Sequence, residues 1–299
     1  VQYTHVKTSA QLWKDPRLLM VFAISLSAGM GIVLITPIFP QIVQLFGVER
    51  EQAALLITAY TLPGVFLAPV YGFLADRWGR KQVLVPLIIL FGVSSVLCGM
   101  ARNFELLLAL RVLQGVGSGA LFTLNNTLIG DMFEGEKRFI AMGYNASLMG
   151  FAMAIYPAIG GLLGKIHWSV PFYLPSISVV LGIVIAFKLK LTPIVKTHSF
   201  REYLFGVWSK VMTVRYFVLL FASFLTFLLL MGVMVSFLPF FLADHYIAGP
   251  VKIGTILSLM AISGGVASML IGKIQGLIAI PKLVALSFLL YAVGTYFIP

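Results

Sequence analysis

Arg111 stands in the run LLLALRVLQGVGSGALFTLNN, which otherwise reads as lipid-soluble, and its charge needs a reason. At 100° per residue, Arg111, Gln114, Ser118, Phe122 and Asn125 fall within about 80° of one another on one helical face. Two turns beyond Phe104, Arg111 lies about 10 Å from that helix end. An arginine at such depth costs about 2.5–3.5 kcal/mol on insertion scales, so it must face a cavity or a partner. The chemistry this stripe could do is recognition: holding a substrate group, or tying helices together by hydrogen bonds.

Acid–base and nucleophilic chemistry find no comparable placement. The acids are Asp15, Glu49, Glu51, Asp76, Glu105, Asp131, Glu134, Glu136, Glu202 and Asp244, and none falls mid-helix. His5, His167, His198 and His245 also fall in connections or at helix ends. There is no metal-ligand spacing, no phosphate-cradling loop and no nucleophile beside a base. An enzyme is not expected, nor a cofactor or a metal. The glycines of GVGSG at 115–119 lie within a membrane helix, where they serve packing.

A second constellation is GFLADRWGRK, residues 72–81, with four charges between two nearly uncharged runs. Asp76 at a helix C-terminus meets the negative end of the dipole and needs a cationic or helix-N-terminal partner. Gly72 lets a neighbouring helix approach, Gly79 lets the chain reverse, and Arg77, Arg80 and Lys81 hold the turn in water. The spacing predicts a tight interhelical turn with a clasp. Asp131, with Lys137 and Arg138, follows the next hairpin and could pair with Arg77 or Arg80.

These elements need a lipid solvent. The chain has 299 residues, is 60% hydrophobic and only 10% charged, with a mean hydropathy of +1.01. A soluble domain carries about 25% charged residues. Net charge is +11, but the basic residues sit between apolar runs, which favours the positive-inside rule over nucleic-acid binding. The single Cys98 can form no internal disulfide and says nothing of compartment.

Spans of about 20 apolar residues are predicted at 18–44, 52–75, 82–101, 104–129, 139–164, 169–189, 214–243, 252–278 and 281–298. The residues before them read as a short cytoplasmic arm. Residues 1–189 form a six-helix bundle with that arm, 190–213 a basic cytoplasmic linker, and 214–299 a partial second bundle of about three helices. Of the 21 Lys and Arg, Arg50, Arg102, Lys165 and Lys252 fall on one side, Arg111 within a helix, and the rest on the other side. That bias puts the N-terminus in the cytoplasm of a multi-pass protein of the cell membrane, plasma or inner.

Three motifs resemble the major facilitator superfamily. Gly72, Asp76, Arg77, Gly79, Arg80 and Lys81 match its signature loop between helices two and three. Leu107, Arg111, Gln114, Gly115 and Gly117 match its fourth-helix motif. Gly143, Pro157, Gly160 and Gly161 are similar to the fifth-helix motif of its drug:proton antiporters. The resemblance implies an all-α, two-bundle membrane fold, with about nine helices present of an expected twelve. It also implies that the fourth helix lines a central cavity, and that the loop aspartate meets an eleventh helix absent from this chain. Where the antiporter motif carries glycine, this sequence has Ala152 and Tyr156, and Tyr156 puts bulk into a ladder spaced for close packing.

The function expected is secondary transport by alternating access, exporting an amphipathic or lipophilic small molecule, with protons as a coupling ion. Arg111, Gln114, Ser118, Asn125, Met30, Met149 and Tyr156 are the candidate substrate pathway, and Phe227 and Met234 could also line it. The alternatives are a metabolite or organic-anion carrier and a truncated, non-transporting subunit. A monomer in the lipid bilayer is expected, with no nucleic-acid partner. Since proton-driven transporters commonly titrate an intramembrane carboxylate, coupling is left to unseen helices, to Asp131 and Arg111 indirectly, or to no proton.

Overall fold

The computed structural model describes residues 12, 14–189, 214–229, 235–274, 286 and 289. The segment 190–213, Met234 and nearly all of the predicted span 281–298 lie outside the described residues. Regular structure among the described residues is entirely helical. The helices are α1 (Pro16–Val33), α2 (Phe39–Phe46), α3 (Arg50–Trp78), α4 (Arg80–Gly99), α5 (Phe104–Met132), α6 (Gly135–Ile166), α7 (Val170–Tyr173), α8 (Ile177–Lys188), α9 (Val214–Leu229), α10 (Leu238–Tyr246) and α11 (Pro250–Ile274).

Six stretches among the described residues are long and apolar enough to cross a bilayer, from Pro16–Phe46 to Val170–Lys188. Two predicted single spans are broken in the structure. The first is interrupted by a 3-10 turn at Thr36–Ile38 and the sixth by one at Leu174–Ser176. Pro37 and Pro175 lie in those turns; a proline has no N–H to give the preceding turn. Asp15 caps α1, its carboxylate accepting the Arg17 N–H at 2.9 Å, with Pro16 at the first helical position.

Glycine lets α5 sit at the centre of the first six spans. A side chain at Gly115 would strike the Tyr60 carbonyl, one at Gly117 the α4 backbone at Leu87 and Phe91, and one at Gly119 the Cα of Gly64. Small residues of this kind bring membrane helices close where no hydrophobic force drives them together. The Tyr71 hydroxyl adds a hydrogen bond of 2.6 Å to the Val116 carbonyl. A core of Leu18, Val21, Leu84, Phe91, Leu121, Leu124 and Ile129 fills the space between.

Candidate functional site

The polar stripe of α5 divides into two groups along the helix. Arg111 and Asn125 lie about 21 Å apart at 1.5 Å per residue. Arg111 is fully buried. Its Nη1 donates to the Gly31 carbonyl at 2.8 Å and to Gln114 Oε1 at 2.7 Å, and its Nε donates to the Leu56 carbonyl at 3.2 Å. The guanidinium also lies 4.4 Å from the centre of the Tyr60 ring. Nη2 carries no hydrogen bond.

The break in the first span explains part of this arrangement. Gly31 and Ile32 are in the last turn of α1, where carbonyls lack intrahelical donors. Gly31 takes its donor from Arg111, and Ile32 from Thr36 Oγ1 at 3.1 Å. Tyr60 crosses the same place, its hydroxyl donating to the Ala28 carbonyl at 3.1 Å. Ser118, between the two groups, bonds within its own helix to Gly115.

At the other end of the stripe, Asn125 meets α1 and α6. Its Nδ2 donates to Ser25 Oγ at 2.5 Å, and Ser25 Oγ donates to Asn145 Oδ1 at 2.5 Å. A cavity of about 190 Å³ opens beside them, walled by Phe122, Met142 and Met149. Met30 instead packs with Ala152, Tyr156 and Leu34. Tyr156 spans the α1–α6 contact, its hydroxyl donating to the Leu26 carbonyl at 2.9 Å while its ring covers Gly29. Phe227 on α9 is exposed.

The charged turn closes on itself. Gly79 has φ 99°, a left-handed value that a side chain disfavours, and it joins α3 directly to α4. Arg80 Nη2 lies 2.6 Å from Asp76 Oδ1, and Arg80 Nε donates to Asp131 Oδ2 at 3.0 Å. One arginine therefore bridges the carboxylates that end α3 and α5. Arg138 lies over Gly130, Arg77 is exposed, and Gly72 and Lys81 are half-buried.

At the opposite end of the bundle, α11 is seated on α6. A side chain at Gly161 would strike the Pro250 carbonyl, and one at Gly254 the Pro157 carbonyl. The Ala158 N–H, next to Pro157 in the interior of α6, donates to Ser258 Oγ at 2.9 Å. A neighbour's hydroxyl commonly satisfies backbone near such a proline. Gly160 makes room for the Leu34 carbonyl at the kink, whereas Gly143 faces open space. Phe39 stacks on Phe240 at 6.2 Å, and Arg50 pairs with Asp244 at 2.6 Å.

Ser25, Tyr60, Asn145, Ser258 and the Arg50–Asp244 pair were not singled out in the sequence. Ser25 and Asn145 carried a usable signal, as polar side chains inside apolar spans. The ion pair joins residues far apart in sequence and gave none.

An all-α bundle with six candidate membrane spans, two of them interrupted, glycine-packed helices and a charged interhelical turn defines a polytopic membrane protein. The sequence matches the Major Facilitator Superfamily over residues 21–299, and the chain belongs to that family, which comprises transporters rather than enzymes. It is 30% identical over 159 residues to the bacillibactin exporter of Bacillus subtilis (50% of this chain, 39% of the relative). It is 39% identical over 120 residues to the multidrug transporter protein MdtP of the same species (40% and 22%). With the quinolone resistance protein NorA of Staphylococcus aureus it shares 27% over 170 residues (57% and 44%). The matches thus span less than half the length of these relatives. Its fold is similar to that of a bacterial homologue of the lysosomal transporter Spinster, inward-facing and occupied, with TM-score 0.67, 18% identity, 88% of this chain and 62% of that one. A D-xylose–proton symporter aligns with TM-score 0.64, 14% identity and coverage of 86% and 68%.

Proposed function

We propose that this chain works as a secondary transporter of the cell membrane, exporting an amphipathic or lipophilic small molecule by alternating access. The observation that carries the reading is the seam between α6 and α11. Gly161 against Pro250, Gly254 against Pro157 and the Arg50–Asp244 pair join the two parts of the chain at the end opposite the 76–81 turn. With the N-terminus and that turn in the cytoplasm, this seam lies at the outer end and closes it.

In this reading residues 1–189 are one rocking unit, 190–213 its linker and 214–299 part of the other. Asp76, Arg80 and Asp131 are the inner clasp, flanked by Gly72, Arg77, Gly79, Lys81 and Arg138. Arg111 and Gln114 pin the kinked first span, and Ser118 spaces them from the pocket at Asn125 and Met149. The antiporter-type residues Pro157, Gly160 and Gly161 shape the helix contacts, with Gly143 on the same helix. The engagement of Arg111 by the Gly31 and Leu56 carbonyls and by Gln114 favours a lipophilic substrate over an organic anion. Protons are the coupling ion of choice, and the unit is a monomer.

The test is transport in vesicles containing the purified protein, using radiolabelled neutral, cationic and anionic amphiphiles, with and without a pH gradient. Protein-dependent uptake of at least one probe, driven by the gradient, is expected. No uptake of any probe above empty vesicles would defeat the reading.

A further inference from the structure

The cavity beside Asn125 holds a feature that packing alone leaves unexplained. Asn125 is 6% exposed, Ser25 2% and Asn145 5%, so three polar side chains meet within a hydrophobic bundle. Their hydrogen bonds run in one direction, from the Asn125 amide to the Ser25 hydroxyl to the Asn145 carbonyl oxygen. Asn125 gives an amide hydrogen to Ser25 this way, and its Oδ1 is buried with no hydrogen-bond partner. A buried, unpaired acceptor is costly, and a ligand's O–H or N–H brought to it would offset that cost.

The walls define the rest of the ligand. Phe122, Met142 and Met149 line the cavity with Leu121 and Ala28, and no ionisable side chain is among its lining residues. An isolated charge placed there would lose its hydration without gaining a counter-charge. Methionine is adaptable, so the cavity accepts varied apolar shapes. At about 190 Å³ it is smaller than the 300–1,000 Å³ usual for a drug-sized ligand, so it takes one end of such a molecule.

We propose that Ser25, Asn125 and Asn145 form a recognition subsite for the uncharged, O–H- or N–H-bearing end of a lipophilic molecule, with Asn125 Oδ1 accepting its hydrogen bond. The subsite rests on the transport reading for its role in moving the ligand, not for binding it. The discriminating feature of the ligand is a donor, not a charge.

The experiment uses the full chain in lipid nanodiscs and radiolabelled 1-naphthol, with empty nanodiscs subtracted. Unlabelled 1-naphthol should compete about tenfold better than 1-methoxynaphthalene, which has the same rings and no donor; a tenfold ratio is the size of one hydrogen bond. It should likewise exceed naphthalene-1-sulfonate and 1-naphthylmethylammonium. Asn125→Leu should erase the advantage over the ether. The isosteric Asn125→Asp, which preserves shape if the leucine variant fails to fold, should move the preference to the ammonium probe. Absence of saturable naphthol binding, equal competition by the ether, or an advantage that survives Asn125→Leu would overturn the subsite. Vesicles that fail to transport while nanodiscs keep the donor preference would defeat the transport reading and leave the subsite standing.

Discussion

Replacing Arg111 with lysine separates a structural tie from a substrate-binding charge. The guanidinium makes three hydrogen bonds, to Gly31, Leu56 and Gln114. Lysine retains the charge but presents a single ammonium, which cannot reproduce the planar fork, so about two of those bonds go. Hydrogen bonds in membrane proteins average about 0.6 kcal/mol and reach about 1.7, which sets the loss at about 1–3 kcal/mol. Burial of the charge is not relieved. Arg111→Met loses all three bonds and the contact with Tyr60, but recovers about 2.5–3.5 kcal/mol of desolvation. The two net losses are then similar, and a structural tie predicts that methionine is tolerated about as well as lysine. The assays are denaturant unfolding of the detergent-solubilised protein and vesicle transport. Lysine at wild-type stability, together with transport that survives in Arg111→Lys and is lost in Arg111→Met, would refute the structural role and give Arg111 to the substrate.

The other predictions follow the two ends of the bundle. Asp76→Asn should impair vesicle transport while insertion and protein yield stay at wild-type levels, because Arg80 then holds only Asp131; wild-type transport would remove the clasp. Gly161→Leu should block closure of the α6–α11 seam, abolishing transport and lowering crosslinking between residues 50 and 244 without loss of helix content by circular dichroism. At the start of α1, the hydrogen bond from Arg17 holds the Asp15 carboxyl below its ordinary value. A carboxylate with a lowered folded pKa adds stability above its unfolded pKa of about 4, lost as pH falls through the folded value. Amide exchange at residues 17–19 should therefore show the first turn fraying more, relative to the rest of α1, at pH 3 than at pH 6.

The sequence carried the membrane class, the positions of the first six spans and the charged turn, because hydropathy and charge spacing are local. It placed Arg111 and Gln114 on one face and suggested Asp131 as a partner for Arg80, both consequences of helical periodicity and hairpin order. The breaks at Thr36–Ile38 and Leu174–Ser176 were missed, although Pro37 and Pro175 were visible, since membrane helices often carry proline without breaking. What Arg111 bonds could not be read, because its acceptors at Gly31 and Leu56 are backbone atoms on other spans. Tyr156 stood out as bulk where close packing was expected, and the structure accommodates it by laying the ring over Gly29. The partner of Asp76 was expected from a distant helix, yet Arg80, four residues on, reaches it first.

The alternation of two rocking units is tested most directly by tying them together at the seam. With Cys98 replaced by serine, Arg50→Cys and Asp244→Cys would be joined by a reversible bis-methanethiosulfonate reagent in transport-competent vesicles. Uptake should stop on crosslinking and return on reduction, because the outer end must open once in every cycle. Undiminished uptake by fully crosslinked protein would contradict the two-unit mechanism.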